Sequence, residues 1–129
     1  MVERTVYSTT ARRQVAELLR TERRYLTAAA IYRILRAQRA RLALSTVYRT
    51  LDLLVENGIA SSRADASGEL SFVYCRDGHH HHATCVVCGH VDEVNCNAID
   101  QFKSALLAEQ AFELDEHSIE FFGRCARCR

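Results

Sequence analysis

Apolar residues recur at helical spacing in three successive segments, and the pattern then switches to alternation. From Thr10 to Arg20, Val15, Leu18 and Leu19 fall on one side, and Thr10 is placed to cap the segment. From Thr27 to Gln38, Thr27 caps and Ile31, Ile34 and Leu35 form the stripe. The third helix runs from a capping Ser45 to Asn57, with Val47, Leu51, Leu54 and Val55 on one side and Asn57-Gly58 as its stop. Ile59 to Ala64 is a short segment, and Asp65-Ala-Ser-Gly68 signals a turn. Glu69 to Cys75 then alternates as a strand, with Leu70, Phe72 and Tyr74 on one face. Three helices followed by a hairpin is the order of a winged helix-turn-helix.

Asp77-Gly78 divides the chain, giving domains at 1–77 and 78–129. In the second, Thr84 to Val94 reads as two short strands around Cys88-Gly89. Ala98 to Phe112 reads as a helix with Ile99, Phe102, Leu106 and Leu107 inward, and His117 to Phe122 reads as a strand. The expected class is α+β: an N-terminal winged helix-turn-helix, then a small α/β metal-binding dimerisation domain.

Charge changes the picture. Met1 to Arg63 holds 12 Arg against 5 acidic residues, net +7, whereas Ala64 to Arg129 holds 5 basic and 11 acidic residues, net −6. A basic half joined to an acidic half suits a nucleic-acid module fused to something else. No run of about 18 apolar residues exists to span a membrane. The opening MVERTVYSTT has no signal-peptide core, so a cytoplasmic location is expected.

The third helix carries Ser45-Thr46-Val47-Tyr48-Arg49-Thr50. Ser45 and Thr46, at a helix N-terminus, can hold a phosphate with the backbone amides. Tyr48 and Arg49 project away from the apolar stripe, and Arg is the commonest reader of guanine in the major groove. Arg12 and Arg13, with Arg33, Arg36, Arg39 and Arg41, can hold the DNA backbone.

The strongest chemical signal is Cys85-x-x-Cys88 with Cys125-x-x-Cys128. Each pair presents two thiolates from one tight loop, and together they make a closed four-thiolate zinc tetrahedron. A redox pair would need a strand-to-helix setting that neither has. The run His79-His80-His81-His82 adds ligands. In a strand, His79 and His81 point one way and His80 and His82 the other, so one strand can serve two metal sites. Cys75 lies nearby. The pattern does not suit an enzyme: there is no His-Glu-x-x-His, and a chain without proline has no Pro-Cys-x-x-Cys deaminase motif.

These motifs, in this order and at these separations, resemble the ferric uptake regulator family, and within it the zinc uptake regulators. The resemblance covers nearly everything from Thr10 to Cys128. It implies that Cys85, Cys88, Cys125 and Cys128 hold a structural zinc. His79, His81, Asp100 and His117 would form the metal site of the dimerisation domain, and Cys75, His80 and His82 a regulatory hinge site. The expected cofactors are therefore one structural and one or two regulatory zinc ions per chain. The thiolate of Cys75 is soft and favours zinc over iron(II) or manganese(II). Iron and peroxide sensors in the family usually carry a His just before the second helix, where this chain has Tyr25 and Leu26. One departure stands out. Where zinc regulators often place an Asp as fourth hinge ligand, this chain has Ser61, a poor zinc ligand; Asp65 is four residues on, about 13 Å along a strand, which leaves Asp77 or a water to fill the role. Cys96 and His90 match nothing in the family pattern and are assigned to the surface.

The implied function is a zinc-loaded homodimeric repressor that binds double-stranded operator DNA, an inverted repeat, at zinc uptake genes. An iron- or manganese-responsive regulator is the alternative within the family. A zinc buffer or carrier without DNA function is a more distant one.

Overall fold

The computed structural model describes residues 9–76 and 80–129. The chain separates into two compact units, Met1–Asp77 and Gly78–Arg129.

Unit 1 holds α1 (Thr10–Glu22), β1 (Leu26–Thr27), α2 (Ala28–Ala37), α3 (Leu44–Glu56), β2 (Ala60–Ala64) and β3 (Leu70–Tyr74). The helices form where the apolar periodicity placed them, but two caps shift. Thr9, not Thr10, caps α1, its hydroxyl accepting from the Arg12 amide at 3.2 Å. α3 begins earlier than Ser45, because the Ala43 carbonyl already accepts from the Thr46 and Val47 amides at 3.1 and 3.3 Å. Ser45 therefore lies inside the first turn and its hydroxyl makes no cap. Thr27 does cap α2, accepting from the Ala30 amide at 3.1 Å.

Val15, Leu19, Ile31, Val47, Leu51 and Leu54 are fully buried and make one core with Leu35 and Phe72. At the end of α3 the Ile59 amide returns to the Leu54 carbonyl at 2.8 Å. Gly58 at φ 71 makes that reversal without the Cβ clash an L side chain meets there.

The sheet of unit 1 has three antiparallel strands in the order β1-β3-β2. β1 was not anticipated, since two residues carry no period; Leu26 pairs with Phe72 and is buried beneath α2's entry. β3 is more covered than simple alternation implies. Phe72 and Val73, on opposite faces, are both buried, while Leu70, next to the wing tip, is exposed. The tip is pinned by Asp65, whose carboxylate accepts from the Ser67 and Glu69 amides and the Ser67 hydroxyl at 2.6–3.0 Å. Those bonds, the Ser67 hydroxyl foremost, hold its carboxyl below the usual value.

Unit 2 holds β4 (His80–Cys85), β5 (Val91–Asn95), a 3-10 turn (Cys96–Ile99), α4 (Asp100–Gln110) and β6 (Glu120–Gly123). Its sheet runs β5-β4-β6, with β5 antiparallel and β6 parallel to β4. Here the inward stripe expected for the helix fails. Ile99 is buried, but Phe102 and Leu107 are exposed and α4 has no buried residue. The strand expected from His117 starts only at Glu120. The mixture of helices and two small sheets is an α+β fold. Among the described residues, no helix is long and apolar enough to cross a membrane.

Candidate metal centres and nucleic-acid interface

β4 is the axis of the metal chemistry. Its end, Cys85, enters a tight turn in which the Gly89 amide bonds back to the Cys85 carbonyl at 2.9 Å, with Gly89 at φ 78. That turn carries Cys88. Because β6 runs parallel beside β4, with Gly123 opposite Cys85, the chain beyond β6 passes the same turn. There the Cys128 amide bonds to the Cys125 carbonyl at 2.9 Å. All four sulfurs lie within 4.8 Å of one another, and Cys88 Sγ is 3.7 Å from Cys125 Sγ. A tetrahedral zinc with 2.3 Å bonds needs sulfurs about 3.8 Å apart, whereas a disulfide needs about 2.05 Å. The donor set therefore fits a zinc ion. The backbone amides of Cys88 and Cys125 bond to the Cys85 sulfur and hold that thiol down to about 5, so it is a thiolate at neutral pH. Cys125 is also lowered, by the Arg127 amide first, and Cys128, donating to Cys125, is pushed up to about 12. A divalent cation bound here would displace the remaining thiol protons.

The two faces of β4 separate the histidines as a strand must. On one face His81 is buried and meets His117 and Cys96. His81 Nε2 to His117 Nε2, His81 Nε2 to Cys96 Sγ, and Cys96 Sγ to His117 Nε2 are each 3.0 Å. Cys96 is therefore no isolated surface residue, which corrects the assignment from sequence. The signal was present in the hairpin register: His81 pairs with Val94, and Cys96, two residues on, returns to the same face. Asp100 is exposed at the start of α4 and stands outside this group of three. His79 lies outside the described residues, as does Asp77. His90, also assigned to the surface, is half-buried and bonds Asp92 at 2.9 Å.

On the other face are His80 and His82, ring centroids 5.0 Å apart and edge-on. Burial, then the neighbouring His80, holds His82 below its ordinary value, so its imidazole is neutral with a lone pair free of a proton near pH 7. In unit 1, Cys75 follows β3 and is buried, its amide bonded to the Ile59 carbonyl at 2.7 Å. Its sulfur lies 3.0 Å from the Ser61 hydroxyl. Asp65 is committed to the wing turn.

Tyr25 and Leu26 are also committed. Leu26 is buried in β1, and the Arg63 guanidinium lies 3.7 Å above the Tyr25 ring. On α3, Val47, Thr50, Leu51 and Leu54 face the core, while Ser45, Tyr48 and Arg49 are exposed and Thr46 is half-buried. Thr50, the buried polar residue of that face, is satisfied by the Thr46 carbonyl at 2.7 Å. Arg13 is exposed and Arg12 half-buried on α1. α3 thus shows water its Tyr48 and Arg49 side chains.

The family model described as the ferric uptake regulator family matches residues 3–122. The chain belongs to the ferric uptake regulator family. Members of this family are metal-responsive transcriptional regulators, not enzymes. The ferric uptake regulation protein of Cupriavidus metallidurans is 33% identical over 121 residues, covering 93% of this chain and 85% of that protein. The zinc uptake regulation protein of Mycobacterium tuberculosis is 32% identical over 124 residues, covering 96% and 95%. The crystal structure of FurB from M. tuberculosis, described as a zinc uptake regulator, superposes with a TM-score of 0.54 at 30% identity, covering 92% of each chain. Family membership is thus carried by relatives named for iron and for zinc.

Proposed function

We propose that this ferric uptake regulator family member is a zinc-responsive, DNA-binding repressor that acts as a homodimer in the cytoplasm and controls zinc uptake genes. The observation that carries the zinc reading is Cys75: a buried thiol five positions before His80 in the chain. A thiolate with two imidazoles is a soft donor set suited to zinc and ill suited to manganese(II) or iron(II). Tyr25 and Leu26 support it from the other side. Where the resemblance attaches an imidazole to iron sensors, one residue is buried hydrocarbon and the other a ring stacked by Arg63.

In this reading Cys85, Cys88, Cys125 and Cys128 hold a structural zinc, and Cys75, His80 and His82 hold the regulatory one. His81 and His117 belong to a further site, which the resemblance completes with His79 and Asp100. The bound ions supply Lewis-acid crosslinks between segments and no reaction chemistry. The exposed Phe102, Leu107, Phe121 and Phe122 of unit 2 are the kind of apolar surface a second copy would cover. Ser45, Thr46, Tyr48 and Arg49 enter the major groove of an inverted-repeat operator, and Arg12 and Arg13 hold phosphates.

The test is zinc counting with DNA titration. After mild chelation and re-addition of buffered zinc, Cys75→Ser is expected to regain one zinc fewer per chain than the unmutated protein. Its operator affinity should fall at least about tenfold, a loss of about 1.4 kcal/mol, which lies within the roughly 5.5 kcal/mol that a full switch from mostly free to mostly bound requires. Equal zinc in both proteins, or refilling by iron(II) or manganese(II) alone, overturns the zinc reading in favour of an iron- or manganese-type regulator.

Arg49 gives a second test. Arg49→Ala should lose about 1–3 kcal/mol of operator affinity, with its discrimination at one base pair, while zinc content stays the same. An unchanged anisotropy titration on matched and mismatched duplexes would show that Arg49 reads nothing.

A further inference from the structure

We propose that Cys96 is a metal ligand, and that His81, Cys96 and His117 form a mixed thiolate–imidazole site selective for zinc over manganese(II) or iron(II). This goes beyond the hinge reading, because the site lies wholly within unit 2 and its test uses no DNA.

The geometry is the first argument. Three donor atoms stand in a triangle with every side 3.0 Å. Protons cannot satisfy it. At one atom a ring nitrogen either carries a proton or accepts one, never both. If His81 Nε2 donates to His117 Nε2, then Cys96 must share that same proton and also donate to the one lone pair His117 has already used. Exchanging the two histidines changes only their names. A single cation at the centre, in contrast, takes one lone pair from each corner. Tetrahedral zinc needs such donors about 3.3–3.6 Å apart, so an outward shift of a few tenths of an ångström admits it.

The local chain explains why Cys96 arrives there. β5 pairs with β4 through Asn95 opposite His80, which fixes Cys96 on the face of His81. The Asn95 side chain then accepts from the Asn97 amide at 3.1 Å and caps the 3-10 turn, bending the chain away just past the sulfur. His81 is 4% exposed and Cys96 and His117 are half-buried, so the donors are withdrawn from bulk water. Asp100, the carboxylate the resemblance assigns to this site, is exposed and outside the triangle. Replacing an oxygen donor by a thiolate shifts preference away from the harder ions. Three protein donors leave a fourth vertex for water or one further side chain.

Cobalt(II) reports thiolate ligation directly. The test uses the full chain with its four-cysteine zinc retained, confirmed as one zinc per chain, in a Cys75→Ser background. Cys96 is then the one thiol outside that set, since the chain has six cysteines. Cobalt titration should produce a near-ultraviolet thiolate-to-cobalt charge-transfer band at one equivalent. The band should vanish on adding Cys96→Ser and persist on adding Asp100→Asn. Zinc affinity at the site should fall in Cys96→Ser by more than the roughly 10- to 100-fold that an outer-shell change costs. Cobalt bound without the band, a band that survives Cys96→Ser, or no cobalt bound at all overturns the proposal. Alkylation of the unmutated chain supplies a variant-free check. Zinc, but not manganese(II), should protect Cys96 from iodoacetamide, as read by peptide mass; equal labelling with and without zinc overturns it. Loss of zinc-dependent DNA binding in Cys75→Ser leaves these readouts untouched, so the two readings fail separately.

Discussion

Cys125→Ser is expected to lose the tightly held zinc and with it the fold of unit 2, while unit 1 still melts cooperatively. The reason is how little else holds unit 2 together. Among its described residues the buried side chains are Cys85, Val91, Ile99, His81 and His82. α4 has no buried residue and β6 is exposed along its whole length. A core of that size cannot offset the backbone entropy of about fifty ordered residues, at roughly 1–2 kcal/mol each. Structural zinc contributes about 10–16 kcal/mol in small zinc-folded peptides. Cys125 and Cys128 also anchor β6, whose parallel pairing with β4 spans four residues. Metal analysis should read at least one zinc fewer per chain, and more where the sites built on β4 are lost with the fold. A thermal scan should show the transition of unit 2 gone at any protein concentration. A variant that keeps its zinc, or melts as the parent does, would show that burial in a dimer carries unit 2 without the cysteines.

The second large effect lies in unit 1. Leu51 is fully buried in α3, turned away from the exposed Arg49, within the cluster of Val15, Leu19, Ile31 and Leu54. Leu51→Ala removes three heavy atoms and leaves a cavity that close-packed neighbours cannot fill, at a cost of about 2–5 kcal/mol. For a unit of this size each kcal/mol lowers Tm by about 4–8 °C. The expected loss is therefore roughly 8–40 °C in the unit 1 transition, read by circular dichroism. Val55, on the exposed side of the same helix, is the control: Val55→Ala should change stability by no more than about 0.5 kcal/mol. Equal losses at the two positions would mean that helix propensity, not burial, holds α3.

The contrast between the two units accounts for what could be read along the chain. In unit 1 the apolar stripes of α1, α2 and α3 meet one another within the same chain, so periodicity and burial agree at most positions; Val55, expected in the α3 stripe, is exposed at its edge, and Ile34 is half-buried. Phe102 and Leu107 obey the same helical period in unit 2, yet 70% and 57% of their surface is exposed. Their periodicity records an apolar face, and periodicity does not say whether that face is covered by this chain or by another molecule. β1 is too short to carry a period at all, and it exists because Leu26 finds Phe72 across β3.

The candidate sites divide on similar lines. The four cysteines were legible because a C-x-x-C loop places both sulfurs locally, and two such loops need only be brought together. The splitting of the histidine run between two faces followed from the period of a strand. Membership in the ferric uptake regulator family likewise follows from motifs and their order. Cys96 was missed because a lone cysteine has no local spacing to announce it. Its partners come from a hairpin register and from His117, which is 36 positions away from His81. By itself the sequence determined the three helices and the hairpin of unit 1, the two C-x-x-C loops and the family, because each motif is carried by neighbours within a few residues. Only the tertiary structure decided which single donors meet across strands, because hydrogen-bond register sets which side chains share a face, and composition does not encode register.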